Sequence, residues 1–261
     1  MNKKIAIIGH GYVGKAMVDF FKDHYDVFIY DPKEYNSHTK EEINRCDLGV
    51  ICVPTPMQDD GACDTSIVEE VASWLDTPLV ILKSTVPVGT TRSIADKYKH
   101  RMVFAPEYCG ESSYWSPYAF HTDVKETPFF IFGGSPEDCT EAIDFYLPIT
   151  GPMKKYHQTT SETAEMAKYI ENCFYATKIA FCNEIYSICE SMGVDWNAVR
   201  EAWLLDPRLH PMHTAVFKDS RGFGGKCLPK DLNAMISFAV SNGVNPLLLK
   251  SVWESNVQVR K

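Results

Sequence analysis

No run of lysines and arginines longer than a pair occurs in the 261 residues, and 26 basic against 34 acidic side chains leave a formal net charge of −8. A nucleic-acid partner is therefore not expected, because phosphate backbones are held by clustered positive charge. No apolar stretch approaches the roughly 20 residues that span a bilayer, so no membrane partner is expected either. The opening "MNKKIAIIGHG" enters a strand-like run too early to leave room for a signal peptide. The nine cysteines are odd in number and contain no CxxC pair. Both a disulfide framework and structural zinc are disfavoured, which points to reduced thiols in the cytoplasm. His210 and His213 flank Pro211 without further ligands at usable spacing, so no metal is expected. What is present, 45% hydrophobic and 23% charged residues, fits a globular chain of one large or two ordinary domains.

The first motif lies at the N-terminus. In "KKIAIIGHGYVGKAMVDFF", a short buried strand over 5–8 gives way to a helix through Gly9, Gly11 and Gly14. The first glycine makes the turn, the second lets a pyrophosphate approach, and the third permits close helix–strand packing; the phosphates then meet the positive helix end. A second strand, "YDVFIYD", ends at Asp31, seventeen residues after Gly14. A carboxylate there accepts hydrogen bonds from ribose hydroxyls and repels a 2′-phosphate, so NAD is expected rather than NADP.

The alternation of strand and helix continues. Strands are expected in 47–56, 78–91, 102–111, 127–134 and 153–158, with helices over 64–75 and near 136–147. Such alternation predicts a doubly wound, mostly parallel sheet of Rossmann type. Ligands bind beyond the carboxyl ends of such strands, so the loops at 54–57, 83–90 and 106–111 should line one crevice.

From residue 159 the texture changes. Neither glycine nor proline interrupts the stretch until Gly193, a C-cap candidate, and Thr159-x-x-Glu162 reads as a capping box. The spacing predicts one helix over 159–192, with apolar residues at Met166, Ile170, Phe174, Ile179, Ile185 and Ile188. So extensive an apolar surface suits a domain-joining or dimer-forming helix. The expected division is a Rossmann domain over 1–158 and an all-helical domain over 159–261. Lys168 and Asn172 share a helix face; Cys173, Cys182 and Cys189 read as packing residues. Near the end, "GFGGKCLPKD" (222–231) sets Cys227 after bare backbone and beside Lys226, Lys230 and Asp231. Those surroundings suit a thiol that meets a ligand.

The ordered set GxGYVG (9–14), VPTP (53–56), KSTVPVGT (83–90), PEYCGE (106–111), the Lys168/Asn172 helix and GFGGKCLPKD resembles the UDP-glucose/GDP-mannose dehydrogenases across essentially the whole chain. These NAD-dependent enzymes oxidise the primary alcohol of a nucleotide sugar to a carboxylate. The resemblance implies that Cys227 is the covalent nucleophile, passing through a thiohemiacetal and a thioester. It implies that Lys168 stabilises the oxyanion, with Asn172 as a neutral donor. Thr85 and Asp231 hold and polarise water, and Glu111 acts in thioester hydrolysis. Gly9, Gly11, Tyr12, Val13, Gly14, Asp31, Pro54, Thr55 and Thr85 form the implied cofactor set. Glu107, Tyr108, Arg208, Ser220 and Gly224 form the implied substrate set, with Arg208 matching an arginine that can reach across a subunit boundary.

The chain also departs from the pattern. The family's PEFLRE is PEYCGE here, so Gly110 removes a cationic side chain. Arg221 stands where an apolar residue is usual. Typical members continue into a third, Rossmann-like domain, so a short form lacking it is expected. A homodimer built on the 159–192 helix is the expected assembly. Two alternatives stay open: a two-electron dehydrogenase of a smaller hydroxy acid or alcohol, and a non-catalytic NAD-binding relative. The first shares the fold and a Lys/Asn pair but has no need of the cysteine.

Overall fold

The structure, a computed structural model, describes residues 2–34, 37–109 and 123–260. The chain divides into two compact units, Met1–Pro56 with Asp64–Lys168, and Met57–Cys63 with Tyr169–Lys261.

The first unit is built on seven strands: β1 (Lys4–Ile8), β2 (Asp26–Tyr30), β3 (Leu48–Ile51), β4 (Val80–Leu82), β5 (Met102–Phe104), β6 (Phe129–Gly133) and β7 (Lys155–Thr159). Their order is β2-β1-β3-β4-β5-β6-β7. All neighbours pair in parallel except β5 and β6, which meet antiparallel at Phe104↔Gly133. The central strands read as unbroken apolar runs because both faces are covered. Alternate residues feed two separate cores. Ile5, Ile7, Leu48, Val50, Ile81 and Val103 face one, with Met17, Phe20, Phe21, Phe145 and Tyr146. Ala6, Ile8, Ile51, Val80, Leu82 and Phe104 face the other, with Val68, Val71 and Ile94. Helices α1 (Tyr12–Phe21) and α5 (Pro136–Thr150) thus cover one face, α3 (Ser66–Trp74) and α4 (Thr90–Tyr98) the other, while α2 (Lys40–Ile43) is a single turn. The doubly wound architecture is as the alternation requires.

Helix α4 was not legible as such, and its start explains why. Its N-cap, Gly89, has no side chain to offer. The fully buried Glu165 supplies the cap instead: Oε2 accepts Gly89 N–H at 2.6 Å, and Oε1 accepts Thr91 N–H at 2.8 Å and the Thr91 hydroxyl at 2.6 Å. A carboxylate at a helix N-terminus satisfies orphan donors and complements the dipole.

The long helix α6 runs from Ser161 to Met192. The capping box expected at Thr159 is not formed. Thr159 ends β7 in register with Gly133, so Thr160 caps in its place, accepting Thr163 N–H at 3.3 Å. Glu162 turns outward to Arg92 at 2.8 Å. The other end is as expected: Val194 N–H reaches Cys189 O (2.9 Å) and Gly193 N–H reaches Glu190 O (3.2 Å), a Schellman motif.

The second unit comprises α6 from Tyr169 onward, α7 (Trp196–Trp203), α8 (Leu228–Ser241) and α9 (Leu247–Val259), with one bridge at Met57↔Cys63. It is helical and built on the long helix. Ala176 and Ala180 of α6 let Phe223, Leu232 and Val252 pack closely against it. Among the described residues no helix is long and apolar enough to cross a membrane, and no His/Cys/Asp/Glu group could hold a metal.

Candidate functional site

In the first unit, the loops after β1, β3 and β4 leave the same edge of the parallel sheet. Gly9 donates to Tyr30 O at 2.8 Å and has φ +91°; a Cβ there would stand 2.8 Å from the Cys52 carbonyl at the end of β3. A Cβ on Gly14 would run into the Gly9 carbonyl. These two glycines are required by the protein's own packing. Gly11 is different, because a Cβ there meets nothing within 4 Å. It is the N-cap of α1 and caps with no side chain, so the helix N-terminus is approached over bare backbone at Gly11. A pyrophosphate fits that requirement: it needs bare backbone and a helix N-terminus. Tyr12 is exposed, and Val13 packs against the core.

Asp31 follows β2 and is bound directly to this loop. Its Oδ2 accepts His10 N–H at 2.9 Å and its Oδ1 accepts Lys33 N–H at 3.0 Å. Partial burial works against its charge, but those two backbone donors outweigh it and hold the carboxyl below the usual range. A fixed carboxylate with spare lone pairs suits ribose hydroxyls and opposes a 2′-phosphate. Two neighbours were missed by the motif reading. His10 Nδ1 lies 2.7 Å from Glu34 Oε1, and the histidine between two glycines was the only available signal.

The loops after β3 and β4 are tied together. Thr55 donates its hydroxyl to Thr85 O at 2.8 Å, and Ser84 donates to Val53 O at 2.7 Å. Thr55 is buried, Thr85 half-buried and Pro54 exposed. After β5, Glu107 and Tyr108 meet Lys168. The lysine, 7% exposed, donates to Glu107 O at 2.8 Å, lies 3.4 Å from Glu107 Oε1, and sits 5.1 Å from the Tyr108 ring centroid. A buried ammonium held this way is a fixed positive charge, which is what an oxyanion needs. Cys109 is half-buried, and burial pushes its thiol up to about 11. Gly110 and Glu111 lie outside the described residues.

In the second unit, Cys227 is the N-cap residue of α8. It is the exposed one of nine cysteines, none of which is in a disulfide; seven are buried. Burial raises thiols such as Cys46 and Cys139 to about 11 and Cys173 to about 12. By contrast Cys227 has solvent access and the positive end of a helix, both of which favour negative charge on sulfur. One turn on, Asp231 is 1% exposed. It takes Asn172 Nδ2 on one oxygen and Lys230 Nζ on the other, each at 2.5 Å. Asn172 is thus joined to the Cys227 helix.

The remaining substrate candidates are less engaged. Arg208 is exposed and forks onto its neighbour Asp206, with contacts of 2.6 to 3.1 Å. Ser220 is exposed. The bare face of Gly224 is covered by Arg260, whose guanidinium would lie 2.7 Å from a Cβ there.

The chain is similar to known proteins over most of its length. Family models match at residues 29–144 (UDP-glucose/GDP-mannose dehydrogenase family, NAD binding domain) and 162–258 (the same family's central domain). UDP-glucose 6-dehydrogenase TuaD of Bacillus subtilis is 31% identical over 99% of this chain and 64% of its own length. The corresponding values for YwqF, a second UDP-glucose 6-dehydrogenase of that organism, are 32%, 85% and 51%. The solved UDP-glucose dehydrogenase of Pyrobaculum islandicum superposes with a TM-score of 0.82 at 28% identity, over 99% of this chain and 68% of that one. The chain therefore spans about half to two-thirds of the length of the curated relatives it matches. With two domain models of one family in sequence order, and a glycine loop and carboxylate that fit NAD, the chain belongs to the UDP-glucose/GDP-mannose dehydrogenase family and carries its NAD-binding and central domains.

Proposed function

We propose that the chain catalyses the NAD-dependent, four-electron oxidation of the primary alcohol of a UDP-glucose-like nucleotide sugar to the uronate. NAD, when bound at the glycine loop, would accept one hydride in each two-electron step, so that two NAD are consumed in turn per sugar. Lys168 stabilises the oxygen that carries negative charge as the alcohol becomes an aldehyde, with Asn172 as a neutral donor. The Cys227 sulfur then adds to the aldehyde carbon; a C–S bond forms as the carbonyl π pair moves to oxygen, giving a thiohemiacetal. Its oxidation leaves a thioester. Water, managed by Thr85, Asp231 and Glu111, adds to the acyl carbon, and the thiolate departs to leave the carboxylate and the restored nucleophile. Glu107, Tyr108, Arg208, Ser220 and Gly224 are assigned to substrate recognition. For Arg208 this means exchanging its fork with Asp206 for an anion of the ligand. A cytoplasmic setting accords with nine cysteines outside any disulfide.

The observation that carries the reading is Cys227: the exposed thiol of the chain stands at a helix N-terminus, one turn ahead of a buried carboxylate. A two-electron dehydrogenase has no use for that arrangement. The test is NADH counted against limiting UDP-glucose, UDP-N-acetylmannosamine or GDP-mannose. Two NADH per sugar are expected. One per sugar returns Cys227 to the structural thiols, and none with any sugar favours a non-catalytic NAD-binding relative.

The assembly belongs to the same proposal. On α6, Ile170, Phe174, Phe181, Ile188 and Met192 are 48–72% exposed and recur at helical spacing. An apolar stripe of this length is a surface that association covers. A homodimer is expected by sedimentation at micromolar concentration, and a monomer with and without NAD would count against it.

A further inference from the structure

Three glycines in the stretch Arg221–Gly225 leave the segment ahead of Cys227 few side chains of its own to fix it. What fixes it comes from two helices of the second unit. Asn183 of α6 is 1% exposed. Its Oδ1 accepts the Gly222 N–H at 3.0 Å and Arg221 Nε at 2.7 Å, while its Nδ2 donates to Ile179 O at 2.9 Å. Asn256 of α9 is 2% exposed. Its Oδ1 accepts the Phe223 N–H at 2.7 Å and its Nδ2 donates to Phe223 O at 3.0 Å. A single side chain thus pairs with both backbone groups of Phe223, as one strand does with another. Gly222 has φ +71°, and a Cβ there would strike Asn256 Oδ1. Arg221 closes the arrangement: Nη2 donates to Asn183 O at 2.7 Å and to Ser187 Oγ at 2.9 Å, and the guanidinium lies 4.3 Å from the Tyr186 ring centroid.

We propose that Asn183 and Asn256 are positioning residues for the proposed reaction, holding the 221–225 segment so that Cys227 stands at the first turn of α8. The inference rests on the reading of Cys227 as nucleophile. Phe223, 3% exposed in the core with Ala176, Ala180 and Leu232, anchors the backbone four residues before the thiol. Downstream the backbone is fixed again by Asp231 N–H to Cys227 O at 2.9 Å. Between these anchors lie only Gly224, Gly225 and Lys226. Arg221, which departs from the apolar residue usual in the family pattern, gains a role as the brace of Asn183. Neither asparagine was marked by the sequence, since each acts on backbone more than thirty residues away.

The test uses the full chain with Asn256→Asp and Asn183→Ala. The first keeps the acceptor for Phe223 N–H and the volume, but sets an oxygen against Phe223 O; the second removes the Gly222 and Arg221 contacts. Turnover with UDP-glucose should fall about a hundredfold in each, as for a displaced reacting group. KM for NAD should stay within about twofold, because a positioning role acts on the reacting group and not on cofactor binding. The pH profile of Cys227 alkylation by iodoacetamide, read by mass spectrometry, should move up by about half a pH unit as the sulfur leaves the helix end. Wild-type turnover per folded molecule, or a loss matched by equal losses in folded fraction and NAD affinity, would overturn the proposal. If the unmodified chain yields no NADH from any of the three sugars, the functional reading fails. The alkylation profile then decides this one alone, and an unchanged profile overturns it.

Discussion

Two glycine-rich segments precede two helices, and they are held in opposite ways. Around Gly9 and Gly14 the constraint is backbone against backbone: the end of β3 presses on one glycine, and one turn of the segment presses on the other. Around Gly222 and Gly224 it is side chain against backbone, from Asn256 and Arg260. The first shape comes from the sheet, so any chain with that sheet and motif arrives at it. The second depends on individual residues of α6 and α9. A nucleotide cradle can therefore be inherited with the fold, whereas the presentation of a nucleophile has to be maintained residue by residue.

Cys227→Ser separates the two segments most sharply. NAD affinity should be unchanged, because Gly9–Gly14 and Asp31 lie in the other unit, while turnover drops by roughly a thousandfold or more. The serine can trap an ester-linked intermediate, since an alkoxide leaves less readily than a thiolate. Steady-state NADH production, with intact-mass analysis of the protein, checks both parts. Wild-type-like turnover in this variant ends the comparison at once.

Thiol reactivity sharpens it next. At pH 8 only about one in a thousand thiols of pKa about 11 is ionised, and burial holds Cys109 and Cys139 near that value. Iodoacetamide should label Cys227 first and these two only as pH rises towards 11. Early labelling at Cys109 would show that its loop opens.

Gly14→Ala attacks the other segment. In an ordinary helix the change helps by about 1 kcal/mol, but here the methyl meets the Gly9 carbonyl. We expect a net loss of about 3 kcal/mol in denaturant unfolding and NAD binding weakened about a hundredfold. Labelling of Cys227 should be unaffected in the folded fraction.

The smallest effect is expected at Asp31. Its pKa is depressed in the folded protein, so its carboxylate is charged at all pH values above the ordinary range, and its contribution is lost only as pH falls through the lowered value. Asp31→Asn removes that charge and should narrow the NAD-over-NADP preference about tenfold at pH 7. Titration of both cofactors measures it, and an unchanged ratio would shift the discrimination to Glu34.

The same contrast explains what was legible. Strand–turn–helix at 5–21, the strand that ends just ahead of Asp31 and the apolar runs of β3 to β5 are local patterns, and the fold forms each of these elements. The glycine-free stretch gave α6 and its Gly193 end. The cap of α6 was misplaced by one residue, because β-pairing of Thr159 with Gly133 took the residue that local capping chemistry would have used. Helix α4 went unseen because its cap, Glu165, comes from 74 residues away. Asn183 and Asn256 escaped for the same reason: nothing in a helical polar residue says which distant amide it will meet.

Gly11 leaves a practical consequence. Its φ of −74° lies outside the left-handed region, and among the described residues a methyl there would meet nothing beyond its chain neighbours within 4 Å. A variant screen that scores melting temperature, solubility or yield would pass Gly11→Ala as silent. The defect would surface only when the dinucleotide is offered, since the displaced party is the ligand. Alleles of this kind are invisible to stability-based annotation, and they are found by asking which glycines the protein itself has no use for.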